Sequence, residues 1–293
     1  MKDSHKAGYV NIIGNPNVGK STLMNALVGE RLSIITSKAQ TTRHRILGIV
    51  NDDKYQIVFS DTPGILKPSY LLQEKMMQQI DTAIGDADII LYVTDVIEQP
   101  TKNREYLEKL NRIEVPVLVV LNKIDKSSQA EVLSLIDQWH YLIPGAEIFA
   151  VSALERFNLE TLFDRILELL PKSPPWFDKE QLTDRTLRFF ASEIIREKIL
   201  LNYTKEIPYC VEVAVEEFNE GEERYHIKAV INVMRESQKG IIIGHKGSAL
   251  KRVGTQARLD MEDFFQKKVF LELFVKVLPN WRENKSRLRQ FGY

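Results

Sequence analysis

Apolar positions along the first 170 residues follow two rhythms. Short continuous runs at 9–13, 57–60, 89–93, 115–121 and 148–151 predict buried strands. Between them, apolar residues recur every three to four positions near 22–27, 71–84, 103–111, 130–139 and 159–170, which predicts helices. In the last of these, Leu159, Leu162, Phe163, Ile166 and Leu170 fall on one stripe. The polar turn Asn51-Asp52-Asp53-Lys54 between 46–50 and 55–60 predicts one antiparallel hairpin. The alternation therefore predicts an α/β unit, with a mainly parallel sheet wrapped by helices.

The pattern breaks at Pro171-Lys172-Ser173-Pro174-Pro175, where closely spaced prolines forbid a helix and predict a stiff connector. A different order follows. It comprises a helix near 184–201, strands at 209–218 and 224–234, an apolar run ending in a glycine-bearing loop, a helix near 248–266 and a strand at 269–277. The expected organisation is a first domain at 1–170, a Pro-rich linker at 171–182 and an α+β domain at 183–293.

The loop after the first strand, Gly14-Asn15-Pro16-Asn17-Val18-Gly19-Lys20-Ser21-Thr22, fits the G-x-x-x-x-G-K-[ST] phosphate cradle in its strand–loop–helix setting. Backbone N–H groups and the helix N-terminus supply positive potential there. Gly14 and Gly19 admit close backbone approach, Lys20 reaches the outer phosphates and Ser21 places a hydroxyl on Mg²⁺. Asp61-Thr62-Pro63-Gly64 closes the next strand, with a carboxylate for the Mg²⁺ shell and a glycine N–H for a γ-phosphate. Between them, the polar segment 37–44 suits a mobile switch that offers a threonine hydroxyl to Mg²⁺, Thr42 in preference to Thr41. Lys20, Thr42 and Gly64 are thus expected to support phosphoryl transfer, with Ser21, Thr42 and Asp61 as the Mg²⁺ set.

Asn122-Lys123-Ile124-Asp125 ends another strand in the form N-K-x-D. A carboxylate at Asp125 accepts from guanine N1–H and the exocyclic amine, which adenine cannot match; such mispairing discriminates by ~10⁴-fold or more. Asn122 ties this loop to the phosphate loop, the Lys123 stem covers a base face, and Ser152-Ala153 adds a backbone N–H for guanine O6. GTP and GDP are the expected ligands.

Composition alters this picture in one respect. Net charge is zero over 293 residues, yet the residues from Pro171 onward carry 22 Lys+Arg against 18 Asp+Glu. The basic residues gather between 235 and 258, around Ile243-Gly244-His245-Lys246-Gly247 and the following Lys251 and Arg252. A G-x-x-G turn lets backbone press against nucleic-acid phosphates, so these residues are the expected RNA-binding set. The single Cys210 excludes an internal disulfide, and the five histidines show no metal-ligand spacing. The opening residues lack the apolar stretch of a secretory leader, and no run approaches membrane-spanning length, so a cytoplasmic location is expected.

Taken together, Gly14–Ser21, Thr42, 61–64 and 122–125 resemble the translation-factor-related GTPases, in the TrmE-Era-EngA-like branch. The helix-strand-strand-helix-loop-helix-strand order around Gly244–Gly247 resembles a type II KH domain. The GTPase-linker-KH order is similar to the Era-type members over nearly the whole chain. That resemblance implies GTP hydrolysis, binding of 16S rRNA near its 3′ end and a role in small (30S) ribosomal subunit assembly and rRNA maturation. It implies a monomer, with peripheral contact to the inner membrane left open. The alternative reading is a GTP-regulated peripheral membrane or RNA-chaperone switch with little hydrolysis. Ile65 stands where other classes carry a water-orienting glutamine, so no side-chain base is named. Within this branch, K⁺ held with the help of Asn17 is the candidate for the missing positive charge.

Overall fold

The structure, a computed structural model, describes residues 5–100 and 102–293. It forms two compact units, one built up to Asp184, the other from Arg185–Tyr293 together with Ser69–Glu74. No helix among the described residues is long and apolar enough to cross a membrane.

The first unit is a six-stranded sheet in the order β2-β3-β1-β4-β5-β6. Its strands are β1 (Lys6–Gly14), β2 (Ile46–Asn51), β3 (Tyr55–Asp61), β4 (Ile89–Asp95), β5 (Val117–Asn122) and β6 (Glu147–Ala150). All pairings are parallel except the β2/β3 hairpin. Every residue of β4 and β5 is buried, as required of central strands covered on both faces. The helices α1 (Lys20–Val28), α2 (Leu71–Gly85), α3 (Arg104–Leu110) and α4 (Gln129–Leu142) lie between strands and make the connections, and α5 (Leu159–Leu169) follows β6. Because β1 sits between β3 and β4, the chain leaves it toward both sides, and a crevice opens at its C-terminal end. Gly14, Asp61, Asp95 and Asn122 are the last residues of their strands, so the topology alone delivers the motif loops to one rim.

The proline-rich segment is not a free connector. Ile49 N–H donates to Leu182 O at 2.8 Å, and Leu47 N–H to Asp184 Oδ1 at 3.1 Å. The fully buried Gln56 accepts from Trp176 N and Phe177 N and donates to Phe177 O. This segment thus satisfies part of the open edge of β2, and the break between units falls at Asp184/Arg185.

In the second unit, β7 (Glu212–Glu220) pairs antiparallel with β8 (Arg224–Val233), which pairs parallel with β9 (Lys268–Val277). The helices are α6 (Leu187–Asn202), α7 (Ile207–Cys210), α8 (Glu236–Ile243), α9 (Ser248–Phe265) and α10 (Lys285–Gln290). Ile195 and Ile199 of α6 and Val253, Ala257 and Met261 of α9 share one core with Ile227, Ala229, Ile231 and Val233 of β8. Residues 209 and 210, expected to open a strand, instead complete α7. Pro208 in the first turn suits a helix start, where its missing N–H costs nothing.

Candidate nucleotide and nucleic-acid sites

The phosphate loop joins β1 to α1 with φ of 148° at Gly14 and 98° at Gly19. A Cβ at Gly14 would stand 2.1 Å from Val93 O, and one at Gly19 2.2 Å from Asn122 Nδ2. Only glycine meets both demands. Lys20 is buried, and its ammonium caps the loop, donating to Gly14 O at 3.0 Å and Asn15 O at 2.7 Å. Burial pushes its pKa down to about 8, against the attraction of Asp61 and Glu98. A cavity of about 310 Å³ opens beside it, lined by Pro16, Asn17, Gly19–Thr22, Thr42, Gly64 and Lys123 among others.

Three oxygens converge at the rim of this cavity. Ser21 Oγ lies 2.9 Å from Thr42 Oγ1 and 2.6 Å from Asp61 Oδ2, and Thr42 Oγ1 lies 3.3 Å from the same carboxylate oxygen. Asp61 Oδ1 is buried without a partner. Burial pushes the Asp61 carboxyl upward, and the Ser21 hydrogen bond and the Lys20 charge oppose it. A small oxygen-only set with an orphaned carboxylate oxygen fits a hard divalent cation such as Mg²⁺. Thr41 is otherwise engaged, with its hydroxyl 2.6 Å from both Thr36 Oγ1 and Lys38 O. Gly64 abuts the phosphate loop, where a Cβ would meet Pro16 Cα at 2.7 Å. Thr62 Oγ1 donates to Ile12 O at 2.7 Å and fixes the turn through Pro63. Ile65 is buried, with its N–H on Gly14 O at 3.0 Å, so no polar side chain occupies that position.

The base loop is braced from two sides. Asn122 donates to Val18 O at 3.0 Å, and its Oδ1 accepts from Lys123 N at 2.8 Å and Ala153 N at 2.9 Å. Lys123 Nζ reaches Asn17 O at 2.5 Å and Asp95 Oδ2 at 2.6 Å. Ser152 Oγ donates to Asp125 Oδ1 at 2.6 Å, leaving this exposed carboxylate oriented at the loop tip. The Ala153 N–H expected for guanine O6 is thus directed at Asn122 in this structure.

Two carboxylates escaped the sequence reading. Asp95 pairs in register with Asn122 across β4 and β5 and holds Lys123; its other oxygen takes the N–H groups of Ile97 and Glu98. Glu98 binds the side chain of Asn15, and Asn103 reaches the same amide. The usable signal was Asp95 at the end of a buried strand.

In the second unit, Ile243 ends α8, and Gly244 (φ 72°), His245, Lys246 (φ 48°) and Gly247 (φ 78°) turn the chain into α9. A Cβ at Gly244 would meet that of Ala249 at 2.6 Å, whereas Gly247 faces open space. Tyr203 Oη donates to Ile242 O at 2.7 Å and pins the run before the turn. A groove of about 390 Å³ follows, lined by Gly247, Leu250, Lys251, Gly254, Thr255, Arg258, Leu271 and Leu273. Of the residues expected to bind RNA, Gly247 and Lys251 line it, and Ile243, Gly244, His245, Lys246 and Arg252 do not. Arg258, the last residue of the basic stretch 235–258, also lines it, whereas Gly254 and Thr255 were missed, although Gly254 stands at helical spacing from Gly247.

Comparison with known proteins places these sites in context. Residues 9–123 match the family described as 50S ribosome-binding GTPase, and residues 206–282 match the KH domain. The chain is 46% identical over 291 residues to GTPase Era of Syntrophus aciditrophicus (strain SB), covering 98% of this chain and 95% of that protein. It is 42% identical over 295 residues to a chloroplastic GTPase ERA-like protein of Oryza sativa subsp. japonica, covering 99% and 70%. Two crystal structures superpose with TM-scores of 0.94. One is a point variant of Aquifex aeolicus Era bound to GDP·AlF4⁻, 43% identical over 98% of this chain and 99% of that one. The other is Era with MgGDPNP and nucleotides 1506–1542 of 16S ribosomal RNA, 42% identical over 99% of each chain.

Proposed function

The chain belongs to the Era family of GTPases, and from that membership we propose that its GTP-driven switch serves recognition of small-subunit ribosomal RNA. It hydrolyses GTP to GDP and phosphate. The observation that carries the switch is the meeting of Ser21, Thr42 and Asp61 beside the phosphate cavity. These residues would hold Mg²⁺, which when bound neutralises phosphate charge as it builds on the leaving group.

The chain's own groups do the remainder. The amides of 14–19 and the α1 N-terminus bind the phosphates. Lys20 exchanges two backbone carbonyls for phosphate oxygens. Thr42 ties the segment 36–42 to the metal site, so loss of the γ-phosphate and its cation frees the segment. Asp125 selects guanine, held in place by Ser152 and by the Asn122 brace.

Buried Ile65 leaves water activation without a side-chain base. Asn17 donates to Ser37 O at 2.9 Å, joining the phosphate loop to the switch. The presence of Asn17 in the phosphate loop and the absence of a polar side chain at Ile65 are the grounds for K⁺ beside the β- and γ-phosphates as the auxiliary charge.

The second unit reads single-stranded RNA in the groove below Gly247, and the 16S fragment bound by the similar Era supports the 3′ region of small-subunit rRNA as its target. Subunit assembly and rRNA maturation follow as the setting. Crosslinking in cells with sequencing of bound RNA tests this. Enrichment at the 3′ end of small-subunit rRNA is expected, and reads spread without such enrichment would reject the target.

A further inference from the structure

The sheet of the second unit has two unlike faces. Ile227, Ala229, Ile231 and Val233 point into the helix-covered core, so the alternate residues His226, Lys228, Val230 and Asn232 face the other way. In register with them stand Phe270, Glu272, Phe274 and Lys276 of β9. Most of this second face is open, with Phe270 and Phe274 about half exposed. One end is roofed. Trp281 Nε1 donates to Cys210 O at 3.0 Å, Tyr293 Oη to Glu212 Oε2 at 3.0 Å, and Leu288 is buried. Val230, only 2% exposed, lies beneath that roof.

Between roof and sheet is a cavity of about 430 Å³, reached by Asn232, Lys276, Glu216, Arg287, Gln290 and Phe291. Asn232 is only 7% exposed, and its side-chain amide makes no hydrogen bond to any described residue. The amide keeps solvent access through the cavity, so its donor and its acceptor are both available to a ligand. Around it stand a ring, Phe291, fixed edge-to-face 5.7 Å from Trp281, and two exposed cations, Lys276 and Arg287. Lys276 is paired with Glu216 at 2.8 Å, and Arg287 touches only Gln290 at 3.0 Å.

We propose that this cavity is a second nucleotide site, which takes one unpaired base with its phosphate. Asn232 meets the donor and acceptor of the base edge, as an amide does in bidentate base recognition, and Phe291 offers a stacking surface. Arg287 and Lys276 take the phosphate at the mouth. The ligand chemistry is that of a ribonucleotide, supplied by a splayed base of bound RNA or by a free nucleotide. The site lies on the opposite face of the sheet from α6 and α9, beneath the roof that carries α10, so one RNA strand occupying the Gly247 groove and this cavity would pass around the unit. The inference rests on the RNA-binding reading of the same unit and extends it.

The test is photo-crosslinking of the full-length protein to a short single-stranded RNA of mixed sequence carrying 4-thiouridine, with adducts mapped by mass spectrometry. Two adducts are expected, one within 244–251 and one at Phe291. In N232L the second falls about tenfold or more while the first persists. The N232L melting temperature stays close to that of the parent, because the amide makes no hydrogen bond within the protein. Competition of the Phe291 adduct by AMP, GMP, CMP or UMP assigns the site to a free nucleotide; its persistence assigns the site to RNA. An adduct at 244–251 alone overturns the second site and leaves the RNA reading standing. An unchanged Phe291 adduct in N232L, or a lower melting temperature, makes Asn232 a structural residue and overturns the site as well. Absence of both adducts rejects the RNA reading and the second site together.

Discussion

Asn122 donates its side-chain N–H to Val18 O at 3.0 Å, so the loop that selects the base and the loop that holds the phosphates move as one piece. Asn122 also accepts from Lys123 and Ala153, and each of these partners would be orphaned by truncation. Unpaired buried groups cost about 1–3 kcal/mol each. Asn122→Ala is therefore expected to weaken GDP and GTP alike, by roughly 10- to 100-fold, a range set by one to two such groups. Fluorescent nucleotide titration checks this; loss of GTP affinity alone would contradict it.

Thr42 and Thr41 make a sharper pair. Thr42→Ala removes an oxygen from the metal set but touches nothing a diphosphate needs. Single-turnover GTP hydrolysis should fall about 10- to 100-fold, the scale of losing one transition-state contact, with GDP affinity nearly unchanged. Thr41→Ala breaks the bonds to Thr36 and Lys38 within the switch, removes no oxygen from the Ser21/Thr42/Asp61 set and should cost less. A reversed order would move the metal ligand to Thr41.

Much of this site was legible because its chemistry depends on contiguous residues. A backbone cradle, a strand-end carboxylate and a base loop each occupy one short stretch, and the parallel sheet gathers them. What escaped was built across long separations. Asp95 and Glu98 touch the loops only after folding, and the groove residue Gly254 reads locally as part of an ordinary helix face. The proline-rich segment was misjudged for the same reason. Its partners Ile49 and Gln56 lie over a hundred residues earlier, and composition speaks of stiffness but not of docking. The six-residue helix α10 was too short for any periodicity to announce it.

Lys20 makes nucleotide binding pH-dependent. Burial lowers its pKa in the free protein to about 8, below the ordinary lysine value, so the charged form is disfavoured there. Phosphate restores the charge. Above pH 8, binding must therefore take up a proton, approaching one per nucleotide near pH ~9, and affinity must fall as pH rises. The folded-state shift also means that burying the charged lysine costs the free protein stability below about pH 8, a cost relieved as pH rises from there toward the unfolded value. Calorimetry in buffers of different ionisation enthalpy measures the uptake; none at alkaline pH would contradict the burial argument.

Gly247 faces open space at φ 78°, which leaves room for a phosphate against the backbone. Gly247→Asp places a negative charge there as well as backbone strain. RNA affinity should drop about tenfold or more, while GTP hydrolysis without RNA stays unchanged. Fluorescence polarisation with labelled RNA and a phosphate-release assay check the two halves.

Hydrolysis rates in K⁺ and Na⁺ buffers of equal ionic strength test the role given to Asn17. A higher rate in K⁺, lost in Asn17→Ala, is expected; equal rates in the parent protein would remove the cation from the account.

The most direct measurement is calorimetric titration of the full chain with GDP and with a non-hydrolysable GTP analogue, each with Mg²⁺ and with chelator. Both nucleotides should bind, and Mg²⁺ should strengthen the triphosphate by about tenfold or more, a gain that Thr42→Ala and Asp61→Asn each abolish. Equal affinities with and without Mg²⁺, or no heat from either nucleotide in a folded protein, would contradict the assembly of Ser21, Thr42 and Asp61 into a triphosphate sensor.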